Sequence, residues 1–209
     1  MKVIAVIADI VGSRKLPDRG GTQKKLKGIL EAVNQESDGL ASPYTITLGD
    51  EFQAVYRQAR GMFRHFWQIL TALHPIRVRF SIGVGEIVTD INPEQALGMD
   101  GPAFHCARRG IEEELPQADA FFLVEGGVER ENFINNSLAL VSQFARTWKK
   151  NRLDILHLMY EGHDAAEIAG RLDLSLRAVY KNIEKGGLDK VIALNEEIED
   201  ICQKRLEES

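Results

Sequence analysis

The sequence predicts an α+β fold, in which a ferredoxin-like sheet with helices on one face is followed by an all-helical C-terminal segment. In the first part of the chain, strand and helix patterns follow the order strand, helix, hairpin, helix, strand, helix, strand. From Glu129 onward, apolar residues recur at helical spacing only. Gly126 and Gly127 separate the two regions, so we divide the chain into residues 1–127 and 128–209.

The elements of the first part follow from apolar patterns and turn residues. Residues 3–8 are rich in Val and Ile and predict a buried strand. Thr22 can cap a helix that runs to about Ser37, and a connection ends at Ser42-Pro43. The remaining patterns predict a hairpin of Thr45–Leu48 and Glu51–Tyr56 about Gly49-Asp50, a helix over 62–73, a strand over 78–84, a helix over 101–114 and a strand over 121–124.

Composition and charge limit the classes of function. The 209 residues are 44% hydrophobic and 27% charged, as in a globular protein with a core. The net charge of -5 argues against a generally basic nucleic-acid binder, so any DNA contact needs a local basic face. Cys106 and Cys202 lack metal-ligand or disulfide spacing, and no apolar stretch reaches the roughly 20 residues of a membrane helix. We therefore expect a cytoplasmic protein without a membrane partner.

Two aspartates mark one end of the predicted sheet. Asp9 ends the first strand and Asp50 lies in the hairpin turn, and these elements are neighbours in a ferredoxin-like sheet. Paired carboxylates suit Mg²⁺ or Mn²⁺, and we expect the two to approach within bridging reach of one cation. Gly12 and Ser13 form a small-residue loop whose backbone N–H groups can approach phosphate. The alternative is that Asp9 only ends a strand and Asp50 only makes a turn.

Four motifs resemble those of class III nucleotide cyclases, in the same order. ADIVGS at 8–13 is similar to the first metal motif of the cyclases, and LGDEF at 48–52 to their second metal motif and to the turn of diguanylate cyclases. RVRFSIGVGE at 77–86 and GPAFHCARR at 101–109 resemble the strand and helix that follow. The resemblance implies a nucleotide-cyclase-type sheet. The whole chain is similar to the SatD family, a bacterial group with this arrangement.

The resemblance also implies roles for individual residues. It assigns metal binding to Asp9, the Ile10 carbonyl and Asp50. Independently of the resemblance, we predict that the loop residues Gly12, Ser13 and Arg14 bind the phosphate of the ligand. Arg109 matches the arginine that stabilises the transferring phosphate, and His105 matches a ribose-positioning asparagine. Because cyclase sites form between two subunits, we expect a homodimer in which Arg109 can complete the partner's site.

The match to the cyclases is incomplete where they recognise the base. Ile46 stands at the base-reading lysine position, and Gly98 stands at that of its acidic partner. We therefore expect metal-dependent binding of a nucleotide or phosphorylated small molecule rather than cyclase activity. His105 can equally be a packed residue, and Arg108 and Arg109 can pair with acidic residues along their helix.

The C-terminal segment has the pattern of a helix-turn-helix. A first helix ends near Gly162, Asp164 can cap a second over Ala165–Leu172, and Ser175 can cap a third that runs to about Lys185. EIAGRLDLS at 167–175 resembles the unit of sigma-factor and LuxR-type regulators. This similarity implies that the third helix enters the DNA major groove with Arg177, Tyr180, Lys181 and Lys185.

Packing roles are the alternative for the C-terminal helices. Helix-turn-helix units also serve as packing modules, and Glu184 opposes contact with phosphate. Two long predicted helices, Glu131–Lys149 and Leu188–Leu206, can dimerise the chain or pack on its first part.

Two functions remain open from the sequence. The first is a regulatory protein that senses a nucleotide or phosphorylated ligand with Mg²⁺ or Mn²⁺ and acts on DNA. The second is a metal-dependent, cyclase-like or phosphoryl-transfer enzyme acting on a nucleoside triphosphate. The missing base-recognition pair favours the first, and the sequence leaves open whether the chain is an enzyme.

Overall fold

The computed structural model describes residues 1–36 and 39–208, whose strands form one mixed sheet. The strands are β1 (Lys2–Ile10), β2 (Leu40–Leu48), β3 (Glu51–Tyr56), β4 (Val78–Glu86) and β5 (Phe122–Glu125). Their order across the sheet is β2-β3-β1-β4-β5, and only β4 and β5 are parallel. The hairpin lies beside β1 as predicted, and β5 extends the ferredoxin-like order beyond β4.

Helices cover both faces of the sheet and form most of the C-terminal part of the chain. They are α1 (Arg19–Gln35), α2 (Met62–Leu73), α3 (Pro102–Arg109), α4 (Leu115–Ala118), α5 (Glu131–Ala145), α6 (Lys150–Tyr160), α7 (Ala165–Leu172), α8 (Leu176–Gly186) and α9 (Leu188–Glu207). Within the described ranges, no helix combines the length and the apolar character needed to cross a membrane.

The prediction that the helices lie on one face of the sheet was wrong. In β1, alternate residues point to opposite faces, and both sets are buried. Ile4 and Val6 belong to the core with α1 and α2, whereas Ala5 and Ile7 belong to a second core with α3. A strand buried on both sides reads as a continuous apolar run, which is the pattern of residues 3–8.

Glycines allow α3 to lie close to β4. A Cβ atom at Gly83 would overlap the backbone carbonyl oxygen of Ala103, and one at Gly85 would lie 3.0 Å from the Ala103 nitrogen. The helix predicted over 101–114 is regular only as far as Arg109, beside another close contact with β4. After Arg109 the chain forms a π-helical turn from Gly110, where a Cβ atom would overlap the Ser81 hydroxyl.

Several predicted boundaries shift by a few residues. The helix expected to begin at Thr22 begins at Arg19, because the Asp18 side chain accepts a hydrogen bond from the Gly21 N–H and caps it. Its expected end at Ser37 lies outside the described residues. The expected connection at Ser42-Pro43 belongs to β2. The C-terminal caps are confirmed: Asp164 caps α7 in a capping box, and Ser175 caps α8.

The C-terminal helices pack on the α1–α2 side of the sheet. Trp67 of α2 stacks on Trp148, with ring centroids 5.8 Å apart, and Ile198 and Cys202 of α9 belong to the same core. The apolar core is therefore continuous across Gly126 and Gly127, and the division into two domains at this point stays a prediction.

Candidate functional site

The Asp9 carboxylate is held by an arginine on the neighbouring strand. Asp9 of β1 lies opposite Arg79 of β4, and Arg79 donates from Nε to Oδ1 at 2.9 Å and from Nη2 to Oδ2 at 2.5 Å. The two side chains are only 24% and 17% exposed, so solvent screens this pair less than a surface one. Both oxygens of the first predicted metal ligand thus already have a cationic partner.

The second predicted ligand, Asp50, lies in the hairpin turn and contacts the loop after β1. Its side chain accepts a hydrogen bond from the hydroxyl of Ser13, which is buried. Its backbone carbonyl accepts the Ile10 N–H at 3.1 Å. The structure therefore brings Asp50, Ser13 and Ile10 together at the end of β1, and metal binding by the Ile10 carbonyl stays a prediction.

A second arginine–carboxylate pair stands beside the first. Glu51 lies opposite Asp9 in the register of β1 and β3, and it accepts hydrogen bonds from Arg108 of α3 at 2.5 and 3.0 Å. Burial raises the pKa of Glu51, but hydrogen bonds from Arg108 and Thr47 outweigh it, so the pKa lies below its usual value. The adjacent carboxylates of Asp9 and Glu51 are each paired with one guanidinium, and that of Arg108 also lies 3.5 Å from Glu112 of the π-helical turn that follows α3, as predicted.

The loop predicted to bind phosphate borders an open cleft. Gly12 has φ +70°, a left-handed conformation that favours glycine, and it starts the 3-10 turn Ser13–Lys15. Arg14 is exposed. A cleft of about 660 Å³ lies beside this turn, and its lining includes Val11, Lys25 and Arg77. Phosphate binding by Gly12, Ser13 and Arg14 stays a prediction.

The two residues predicted to be catalytic contact other groups. Arg109 pairs with the buried Glu125 at 3.0 Å, and His105 is exposed and contacts Asp100 at 2.8 Å. Glu125 lies opposite Gly83 of β4. Gly83 is four residues from Arg79 along the same strand, which places the two about 13 Å apart. Within the described chain, Arg109 therefore does not join the Asp9 site, and its neighbour Arg108 does.

A divalent cation does not fit this donor set as it stands. Asp9 is bound by Arg79, and Asp50 accepts from Ser13. Among residues 1–36 and 39–208, no group of three or more His, Cys, Asp or Glu side chains is placed to hold a metal ion. A cation next to Asp9 would meet the positive charge of Arg79, so Arg79 has to move before Asp9 can act as a ligand.

The basic residues predicted to bind DNA lie on an exposed helix face. In α8, Val179 is fully buried, whereas Tyr180 is 58% exposed. Arg177, Lys181 and Lys185 are exposed as well. The helix packs on α6, α7 and α9, which leaves this face open.

Comparison with known proteins identifies the family. The model of the SatD family matches residues 3–199. The chain belongs to the SatD family. No curated protein matches this SatD chain. Among solved structures, a bacterial light-regulated adenylyl cyclase matches with 19% sequence identity and a TM-score of 0.46, covering 59% of the SatD chain and 43% of the cyclase chain. The chain thus spans less than half of that cyclase, and a match this distant says nothing about the chemistry of the SatD site.

Arg79, Glu51 and Arg108 are the residues of this site that the sequence does not single out. Arg79 interrupts an otherwise apolar strand, at a position on the same face as Ser81 and Gly83. A charge at such a position needs a partner on a neighbouring strand, and Asp9 ends the strand predicted to lie beside it. In the sequence, Glu51 belongs only to the turn motif at 48–52.

Proposed function

We propose that this SatD protein is a regulatory protein that binds a phosphorylated ligand together with Mg²⁺ or Mn²⁺ at the Asp9–Arg79 end of the sheet. The observation that carries the proposal is the double arginine–carboxylate arrangement of Asp9 with Arg79 and Glu51 with Arg108. A phosphate can take over the guanidinium groups. The released carboxylates, with Asp50, can then receive the cation. Ligand and metal would bind together. Phosphate alone would leave the carboxylates without a positive partner, and the cation alone would leave the guanidinium groups without a negative one.

A regulatory role fits this arrangement better than turnover. Arg109 and His105 contact groups away from the Asp9 site, and the base-recognition positions hold Ile46 and Gly98. The enzyme alternative requires Arg109 to act from a second chain. Metal-dependent release of product from a panel of nucleoside triphosphates would establish that alternative.

Calorimetric titration tests the proposed ligand site. The protein is titrated with a triphosphate and a diphosphate nucleotide, with and without Mg²⁺. We expect binding only when cation and phosphate are both present.

Three variants test the roles of the site residues. Asp9→Asn should remove the cation dependence. Arg79→Met should weaken phosphate binding and allow Mg²⁺ to bind without phosphate, because the competing charge is gone. Arg57→Met, a change of an exposed arginine, is the matched control. Unchanged titrations of Asp9→Asn and Arg79→Met would contradict the proposal.

The exposed basic residues of α8 support the proposal that the regulatory protein acts on DNA. Phosphate contacts by Arg177 and Lys181 would give affinity that falls steeply with salt. The double change Arg177→Glu with Lys181→Glu should abolish retention of DNA fragments in gel shifts at low salt. Lys27→Glu with Arg57→Glu makes the same change in charge at exposed positions elsewhere and should retain binding. Equal loss in both variants would mean that only net charge matters.

A homodimer remains part of the proposal. Three large apolar side chains of α5, Phe133, Leu140 and Phe144, are 66%, 57% and 66% exposed. Their spacing of seven and four residues places them on one stripe of the helix. A second copy is the occupant we propose, and Phe144→Glu should shift the mass measured by light scattering from dimer to monomer. A wild-type monomer at high concentration would contradict it.

A further inference from the structure

A cavity of about 330 Å³ lies where the first part of the chain meets the C-terminal helices. Trp67 and Leu70 of α2, Phe121 before β5 and Leu153 of α6 give it an apolar lining, and Arg77 and Arg146 also face it. Its volume lies within the roughly 300–1,000 Å³ of small-molecule sites, which are mostly apolar with a few polar groups. The Asp9 site does not share this lining.

One wall of the cavity carries a buried donor without a partner. Trp67 is 0% exposed, and within the described part of the chain its indole Nε1–H has no hydrogen-bond acceptor. A buried donor left without an acceptor is destabilising. Trp67 lines the cavity, but its Nε1 has almost no surface open to a water-sized molecule, so the indole lies beside the cavity as a buried reporter.

The cavity also has an excess of positive charge. Arg77 and Arg146 both contact the same carboxylate, Asp119, at 3.4 and 2.5 Å. Two guanidinium groups therefore share one negative charge. The Arg146 guanidinium lies 5.9 Å from the centre of the Phe121 ring, so cation and apolar wall are adjacent.

We propose that this cavity binds a small organic anion with a planar apolar body, such as an aromatic carboxylate. The body would lie among Trp67, Leu70 and Phe121. The carboxylate would offer its oxygens to the guanidinium groups of Arg77 and Arg146. This proposal does not depend on the phosphorylated-ligand site proposed above, although Arg77 lines both this cavity and the cleft beside the Gly12 turn.

The cavity is connected to the exposed helix α8 through α6, which lines the cavity and packs on α8. Leu153, which lines the cavity, belongs to the start of α6, and its carbonyl accepts a hydrogen bond from Thr71 of α2 at 3.4 Å. Helix α8 packs on α6. An anion bound here would therefore contact the helix on which α8 packs.

The indole N–H gives a direct test by ¹⁵N–¹H nuclear magnetic resonance on the whole chain. The protein has only two tryptophans, so its spectrum contains two indole signals, and Trp148→Phe assigns that of Trp67. We expect 1-naphthoate to shift the Trp67 signal saturably. The Kd of the neutral 1-naphthamide should be about tenfold higher than that of 1-naphthoate, a difference of about 1.4 kcal/mol in binding free energy. No saturable shift with up to millimolar 1-naphthoate would overturn the proposal.

Three variants decide whether the probe occupies this cavity. Arg146→Met should remove the preference for the carboxylate, and Ala145→Leu, which adds volume at the lining, should block both probes. Arg152→Met is the control, because Arg152 contacts Trp148 and does not line the cavity. Binding of 1-naphthoate that survives unchanged in both Arg146→Met and Ala145→Leu would place the probe elsewhere and overturn the proposal.

Discussion

Glu199 of α9 fixes the start of α2, and its replacement should change how stability depends on pH. Its two carboxylate oxygens accept the backbone N–H groups of Gly61 at 2.9 Å and Phe63 at 2.8 Å. The side chain is buried, with 6% exposure. Burial raises the pKa of Glu199 to about 7, although the two backbone hydrogen bonds favour the charged form.

The sign and size of the effect follow from this pKa. The unfolded chain releases the proton of Glu199 near pH 4.5 and the folded chain near 7. The folded state is therefore favoured below pH 4.5 and loses this advantage as the pH rises through 7. At about 1.4 kcal/mol per pKa unit, the loss is about 3 kcal/mol. Glu199→Gln cannot ionise and keeps one acceptor oxygen, so it should cost about 1–2 kcal/mol at acidic pH.

Urea unfolding between pH 4.5 and 8 measures this difference. At pH 4.5, Glu199→Gln should have a lower free energy of unfolding than the wild type. Between pH 4.5 and 8 the wild type should lose about 3 kcal/mol relative to the variant, so the two plots of unfolding free energy against pH should cross. The comparison cancels other titrating groups, because both proteins share them. Glu197→Gln serves as the control and should run parallel to the wild type, because Glu197 is an exposed residue of the same helix and is not among the groups that shift the pKa of Glu199. A constant difference between Glu199→Gln and the wild type across this range would refute the reasoning.

Three further outcomes are expected from single sites. Burial lowers the pKa of His65 to about 4, so the stability that neutral His65 gives above pH 6.5 should be lost as the pH falls towards 4, and His65→Phe should reduce this acid sensitivity in urea unfolding. Asp164→Ala removes the acceptor for two N–H groups at the start of α7 and should cost about 1 kcal/mol of unfolding free energy. Gly83→Ala should destabilise the protein more strongly, because its Cβ would overlap the Ala103 carbonyl, and thermal unfolding by circular dichroism would show it.

Local signals in the sequence were enough for most of the elements. Alternation predicted β4, the Gly49-Asp50 turn predicted the hairpin, and cap residues located α7 and α8 to within a residue. These features depend on neighbours along the chain, whose geometry is fixed by the 2.0 and 3.6 periods and by turn chemistry.

Contacts between distant residues could not be predicted in this way. The pair of Asp9 and Arg79 depends on the register of β1 against β4, and one residue of slip would move Arg79 to the other face. The cap of Glu199 on α2 joins positions 136 residues apart. The placement of α3 on the second face was missed although Gly83 and Gly85 signalled close approach, because a glycine does not say which element approaches it.

The shared core predicts that the first part of the chain does not fold alone. Trp67 and Phe63 of α2 are fully buried, and Trp148 and Glu199 from beyond residue 127 contact this helix. Buried aromatic side chains contribute about 3–5 kcal/mol each, and domains are stable by only about 5–15 kcal/mol. A chain of residues 1–127 should therefore show no cooperative thermal transition by circular dichroism. As a control, the whole chain carrying a protease site after Gly127, cut once folded, should keep its two pieces together in gel filtration. A 1–127 fragment that unfolds cooperatively would instead establish an independent domain, and the contacts of Trp148 and Glu199 would then be docking contacts.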